Sequence, residues 1–210
     1  MKVGRQVVAN HYNGRVKILL NTSFTPYGCW VFDDGAQILG DTWTDNKETN
    51  ERVLSILQQI PKSAVVEWVA GVTGPGGFSS LRIASCIING LQLTRGCAIK
   101  SVRADVFLRH YLDQQKMNNP FVLNSFGQQL FWCEEEDMEL IDTTEAQGKS
   151  KNQPIITSFL PAEKAELFPD GVTTDVKNIP EVLHKYCEKL EPVNVFTPYY
   201  AFPAVKKQTA

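Results

Sequence analysis

A glycine-rich turn joins two apolar segments of this chain: Ala70-Gly71-Val72-Thr73-Gly74-Pro75-Gly76-Gly77-Phe78-Ser79-Ser80-Leu81. Residues 64–69 before it read as an apolar strand, and residues 81–93 after it as an apolar helix. A sharp strand-to-helix passage of this kind directs the chain toward α/β packing. Glycines let the backbone come close to a neighbour without a Cβ in the way, and Pro75 stiffens the turn by fixing its own φ. Backbone amides at such a turn can face an anion, helped by the partial positive charge of the helix N-terminus. No Lys-Ser/Thr pair follows the glycines, so this is not a Walker loop, and the G-x-G-x-x-G spacing is missing. Loop chemistry alone leaves a phosphate cradle and a tight connection that binds nothing about equally open.

The pattern around the turn sets the order of elements. Residues 16–20 are a short apolar strand ending in Asn21-Thr22-Ser23. Strands at 28–32 and 37–43 flank Asp33-Asp34-Gly35, a hairpin signal. A helix over 51–60 puts Val53, Leu54, Ile56, Leu57 and Ile60 in one stripe, with Thr49 or Asn50 as its N-cap and Pro61 as its stop. A fifth strand at 97–102 completes βββαβαβ, which implies a mixed sheet flanked by helices.

The 81–93 helix is over-apolar. Arg82, Ser85, Asn89 and Gln92 occupy one narrow strip, and apolar residues cover roughly two-thirds of the circumference. One side can bury against the sheet. The rest needs a second lobe of the same chain or a partner protein, because soluble monomers seldom leave broad apolar patches bare.

Beyond residue 102 the pattern is less regular. It predicts a helix over 103–115 and strands at 120–123 and 129–133 around Ser125-Phe126-Gly127. Glu134-Glu135-Glu136-Asp137 reads as a solvated turn, and 143–153 as a polar loop. Short helices follow at 161–168 and 180–190, each with Pro at its first position. The tail from Pro192 carries Val195, Phe196, Tyr199, Tyr200 and Phe202, which predicts that it is tied down, with a loose end at 206–210.

Composition excludes several classes. A formal charge of −2 gives no global pull toward nucleic acid or anionic membrane. No apolar run reaches the ~20 residues that a membrane span needs, and the first ten residues lack the apolar core of a signal peptide. Five dispersed cysteines without a C-x-x-C pair fit reduced thiols in a cytoplasmic protein. The three histidines are far apart, so no metal-ligand spacing is read. Neither an H-E-x-x-H metallopeptidase motif nor a G-x-S-x-G elbow occurs. Basic and aromatic residues do not cluster as a nucleic-acid-binding surface would require.

Taken together, Asn21-Thr22-Ser23 after the first strand, the Asp34-Gly35 hairpin, and Gly74-Pro75-Gly76-Gly77-Phe78-Ser79-Ser80-Leu81-Arg82-Ile83-Ala84 resemble the TsaB (YeaZ) family. Its members carry D-T-S and G-x-G-P-G-S-F-T-G-L-R-I-G at these places. The resemblance is good over residues 16–105 and weak beyond, where Phe121-Val122-Leu123-Asn124 with Leu130-Phe131-Trp132 looks like the family's second hairpin. It implies a two-lobed actin/ribonuclease-H-like fold: an extension at 1–15, a first lobe at 16–105, a smaller lobe at 106–192 and a return segment at 193–210.

The resemblance also implies a role. TsaB is the non-catalytic partner of TsaD, which with the ATPase TsaE installs threonylcarbamoyl on the adenosine after the anticodon of certain tRNAs. This chain would then pair with a TsaD-like subunit, meet a TsaE-like ATPase, and touch tRNA only through the complex. The first-lobe helices would supply the partner interface through Val53, Leu54, Leu57, Leu81, Ala84, Ile87, Ile88 and Leu91. The same face also suits a homodimer.

No catalytic residue and no metal ligand is implied. Asn21, Thr22, Ser23, Gly74, Pro75, Gly76, Gly77, Phe78 and Ser79 would form a vestigial phosphate or nucleotide loop, with weakly held ATP or ADP as its candidate ligand. Asn21 stands where the family has Asp, Asn124 replaces the hairpin's usual Asp, and the first helix lacks the family's His. A neutral amide holds a metal–phosphate complex poorly. Gly77, Ser79, Ser80 and Ala84 also depart from the family's Ser, Thr, Gly and Gly. Two alternatives remain: an actin-like ATPase or phosphotransferase using the glycine turn, or a diverged paralogue with another partner.

Overall fold

The computed structural model describes residues 14–200. The expected extension up to residue 13, Phe202 and the loose end at 206–210 lie outside the described residues.

Strands β1 (Arg15–Asn21), β2 (Tyr27–Asp33) and β3 (Ala36–Trp43) form an antiparallel meander. Asp34 and Gly35 turn the β2–β3 hairpin with φ of 45° and 79°, the left-handed pair that matches strand twist. A 3-10 turn (Asn46–Glu48) leads into α1 (Thr49–Leu57). Then follow β4 (Val65–Val72), α2 (Phe78–Arg95) and β5 (Ala98–Val102). The five strands make one mixed sheet in the order β3-β2-β1-β4-β5, with β4 parallel to both β1 and β5.

After α3 (Ala104–Gln114), strands β6 (Phe121–Asn124), β7 (Gln129–Glu134) and β8 (Asp137–Asp142) form a second, antiparallel sheet. Helices α4 (Thr143–Ser150), α5 (Ala162–Ala165) and α6 (Ile179–Glu188) complete the described elements.

Strand alternation divides the core. Val16, Ile18 and Leu20 point to one face of the five-stranded sheet and pack with Val53 and Ile56 of α1 and Ala84 and Ile88 of α2. Leu19, Trp30, Phe32, Trp68 and Ala70 form a second cluster with Phe107 of α3 and Leu183 and Cys187 of α6. That cluster also takes in Phe121, Leu123, Phe131 and Cys133, so the two sheets share one core. Val122, Leu130 and Trp132 bury separately, against Ala146 of α4 and Phe168. Full burial of one such large side chain contributes about 1.5–3 kcal/mol, which fixes the register of each strand.

Four local expectations need correction. Residues 143–153 are not simply a loop, because α4 occupies 143–150. Its signal is chemical: the Asp142 carboxylate accepts from the Glu145 amide at 2.8 Å, an N-cap that outweighs the polar composition. The acidic run turns only at its centre, where Glu135 has φ 50°, while Glu134 ends β7 and Asp137 starts β8. At α1 the cap position falls on Glu48, and the Thr49 hydroxyl instead accepts from Trp43 Nε1 at 3.0 Å. The expected helix at 161–168 is only the single turn α5, with Pro161 just before it.

Candidate functional site

The glycine turn rests against the end of β1. Asn21 is fully buried and uses both ends of its amide. Its Oδ1 accepts from the Ser23 amide at 3.1 Å, and its Nδ2 donates to the carbonyls of Phe24 (3.0 Å) and Pro26 (2.8 Å). The Thr22 hydroxyl donates to the Ser80 carbonyl at 3.1 Å, and the Ser23 hydroxyl to the Pro75 carbonyl at 2.6 Å. Both residues are buried. Asn21, Thr22 and Ser23 therefore act as a strut that fixes the glycine turn.

The glycines serve the same close packing. A Cβ on Gly76 would lie 2.5 Å from the Ser23 carbonyl oxygen. Gly74 has φ +122°, and a Cβ there would lie 2.6 Å from the Tyr199 carbonyl oxygen. Gly74 and Pro75 are buried, Gly77 is half-buried, and Phe78 and Ser79 are exposed. Backbone bonds from Tyr199 to Thr73 (2.7 Å) and from Ala104 to Gly74 (2.7 Å) close the turn from the other side.

This arrangement does not fit a metal–nucleotide complex. A metal–phosphate group needs carboxylate or free hydroxyl oxygens, and here the Thr22 and Ser23 hydroxyls are given to backbone carbonyls. Asn21→Asp is expected to destabilise the fold by about 1–3 kcal/mol or more, because two buried carbonyls would lose their donor and face a carboxylate. A thermal melt in which Asn21→Asp matches the wild type would refute this.

Helix α2 presents three faces. Leu81, Ala84 and Ile88 are wholly inside the chain. Its polar strip binds the return segment: Ser85 Oγ and Asn89 Nδ2 donate to the Phe196 carbonyl at 3.3 and 3.1 Å. Asn89 Oδ1 accepts from the Phe196 amide at 2.9 Å, and Gln92 Nε2 donates to the Asn194 carbonyl at 3.1 Å. Phe196 itself is 1% exposed, beside Gly71. The third face points outward and carries Ile83, Cys86, Ile87, Gly90 and Leu93, the last 85% exposed.

The expected interface residues therefore separate. Val53, Leu81, Ala84 and Ile88 are buried and unavailable to a partner, a correction that follows from the packing of Val53, Ala84 and Ile88 on the sheet and of Leu81 beside Gly74. Leu57, Ile87 and Leu91 are half-buried, and Leu54 is 43% exposed. Helices α1 and α2 pack on the same face of the sheet, so these residues share one side of the molecule. Cys86, Gly90 and Leu93 belong to the outer surface although the expected interface did not include them; their positions at i, i+4 and i+7 from Cys86 were the available signal.

Other chemistry is sparse among the described residues. Burial pushes the thiols of Cys29 and Cys187 up to about 12 and that of Cys133 higher still, which removes them as nucleophiles at neutral pH. No group of three His, Cys, Asp or Glu side chains gathers as a metal site among the described residues. A cleft of about 360 Å³ on the β7–β8 hairpin is lined by Trp132, Glu134, Glu135, Asp137, Glu139 and Lys149. Lys149 pairs with Glu139 at 2.7 Å, and Glu134 accepts from Trp132 Nε1 and Gln153 Nε2, each at 3.1 Å. No described helix is long and apolar enough to cross a membrane.

No family model matches the sequence, and no curated protein matches it. Similarity is found among solved structures. YeaZ from Pseudomonas aeruginosa superposes with a TM-score of 0.58 at 14% identity, over 89% of this chain and 99% of that one. A protein described as similar to peptidase YeaZ from Pseudomonas aeruginosa gives 0.57 at 16% identity, over the same shares. Thus the residues of the glycine block and the path of the backbone lead to one answer: the chain has the fold of the YeaZ proteins.

Proposed function

We propose that this chain is a non-catalytic scaffold subunit of the machinery that installs threonylcarbamoyl on tRNA, and that it pairs with a TsaD-like subunit through the outer face of α2 and the neighbouring part of α1. The reading takes the two sheets with their helices as the two lobes of an actin/ribonuclease-H-like protein. It rests on the YeaZ fold together with one observation about α2.

That observation concerns Gly90, in the middle of an 18-residue helix. A glycine there costs about 1 kcal/mol relative to Ala. Among the described residues nothing repays it, for a Cβ on Gly90 would meet none of their atoms within 4 Å outside the helix's own backbone. Cys86 is four residues before it, and Ile83, Ile87 and Leu93 border the same outward stripe. A low, apolar stripe of this kind lets a second helix approach closely. A TsaD-like helix is the occupant this reading assigns.

Gly90→Ala is therefore expected to stabilise the isolated chain by up to about 1 kcal/mol, while Gly90→Leu leaves it folded and weakens the complex at least tenfold by calorimetry. Equal affinity of Gly90→Leu and wild type would remove the stripe from the interface. The function is tested by restoring threonylcarbamoyl to tRNA in a system depleted of its own TsaB. Wild type should restore the modification and Ile87→Glu should not.

The enzyme reading, an ATPase or phosphotransferase, finds less support. The β1 residues it needs are engaged with backbone, and no carboxylate stands at Asn21 or Asn124. ATP hydrolysis by the pure chain, lost in Gly76→Val, would favour it.

A further inference from the structure

The imidazole of His184 lies on the face of the sheet opposite α1 and α2, where α6 docks. It is 5% exposed. Its ring stacks on Phe32 at 4.3 Å and Trp68 at 5.7 Å between centroids. Its Nε2 is buried and has no hydrogen-bond partner, with the Glu188 carboxylate 3.6 Å away. A neutral ring suits this aromatic slot. An imidazolium would bring an added charge out of water with only the Glu188 carboxylate, at 3.6 Å, to hold it.

Of the surrounding charges, Glu188 favours a cation and three lysines oppose it. Lys17 on β1 pairs with Glu188 at 2.7 Å and lies 3.9 Å from Glu67 on β4. Lys100 on β5 is buried and donates to the carbonyls of Cys187 (2.9 Å) and Glu188 (3.0 Å), the C-terminal carbonyls of α6. Lys185 lies beside His184 on the helix, and β2 contributes the neutral ring of Phe32. The facing groups are thus three ammoniums against Glu188, whose charge already serves Lys17, and the more distant Glu67.

We propose that His184 is an acid-sensitive latch, whose protonation releases α6 and loosens the return segment that α6 carries onto α2. The geometry links the two. Only a short connection separates Glu188 from Val193, which bonds to Ile99 on β5, and Phe196 follows in its α2 slot. Burial holds the imidazole below its ordinary value, opposed first by Glu188, with Lys17, Lys185 and Lys100 adding smaller downward pushes. The undocked helix therefore takes up the proton first. Docking is at full strength above about pH 6.5 and weakens as pH falls toward the value in the docked state.

The test uses the full chain. Hydrogen exchange at the α6 amides, corrected for intrinsic rate, should speed up as pH falls from 7.5 to 5.5. His184→Phe, which keeps an aromatic ring in the slot, should abolish this pH dependence. Ring-proton NMR of the wild type should place the His184 midpoint below about 6.5. A His184 midpoint at or above 6.5, or a His184→Phe chain whose α6 exchange responds to pH like the wild type, would overturn the proposal. The NMR titration decides even if the variant fails to fold.

Discussion

Ile88→Glu is expected to unfold the chain, and Ile87→Glu to leave it folded. The two residues are neighbours in sequence and apolar alike, yet their surroundings are opposite. Ile88 is 0% exposed, and its Cδ1 lies only 2.3 Å from where a Cβ on Gly71 would stand. A carboxylate there loses the packing of the isoleucine and is buried without a partner. Large-to-small loss alone costs about 2–5 kcal/mol, and the uncompensated charge adds several more. That total reaches the whole stability of a typical domain. Ile87 is half-buried at the edge of the same cluster, and its replacement can reach solvent. Circular dichroism should show a native spectrum for Ile87→Glu and none for Ile88→Glu. A folded Ile88→Glu would mean that the buried face of α2 is assigned wrongly.

Phe196→Ala should cost about 3–5 kcal/mol and free the return segment. The ring is 1% exposed and fills the space over Gly71 and Ile88, so its removal leaves a cavity lined by β4 and α2. The loss does not stop at the ring. Ser85, Asn89 and Gln92 bond to the backbone at 194 and 196, and those bonds need Phe196 in place. Val195 is 58% exposed, so Val195→Ala is the matched control and should be nearly neutral. Denaturant melts of the pair measure the difference, and faster proteolysis near 194–200 in Phe196→Ala would report release of the segment. Equal midpoints for the two variants would contradict the anchoring role.

Much of the five-stranded sheet was legible because its signals are local. Period-two apolar strands, the Asp34-Gly35 turn and the glycine block each point to their element without knowledge of the rest. What failed was pairing at a distance. Ser85, Asn89 and Gln92 read only as a narrow polar strip, and nothing near them in sequence shows that their partner backbone is about a hundred residues away. The same blindness placed Val53, Leu81, Ala84 and Ile88 at an interface: a stripe of apolar residues tells how much of a helix is covered, not what covers it. Asn21-Thr22-Ser23 was found by motif, but its work, bonding the turn to β1, depends on contacts with Pro75 and Ser80 that no motif records. Strand β8 was missed because it continues an acidic run and acidic residues have low strand preference, although Asp137-Met138-Glu139-Leu140 does alternate; its partner β7 decides its conformation.

The central claim is that α2 is a docking helix. It is tested most directly by light scattering after size exclusion, with the chain alone and mixed with the TsaD-like protein of its own source. A one-to-one complex, formed by wild type and lost in a folded Ile87→Glu, is the predicted result. A chain whose mass is unchanged by that protein would contradict it.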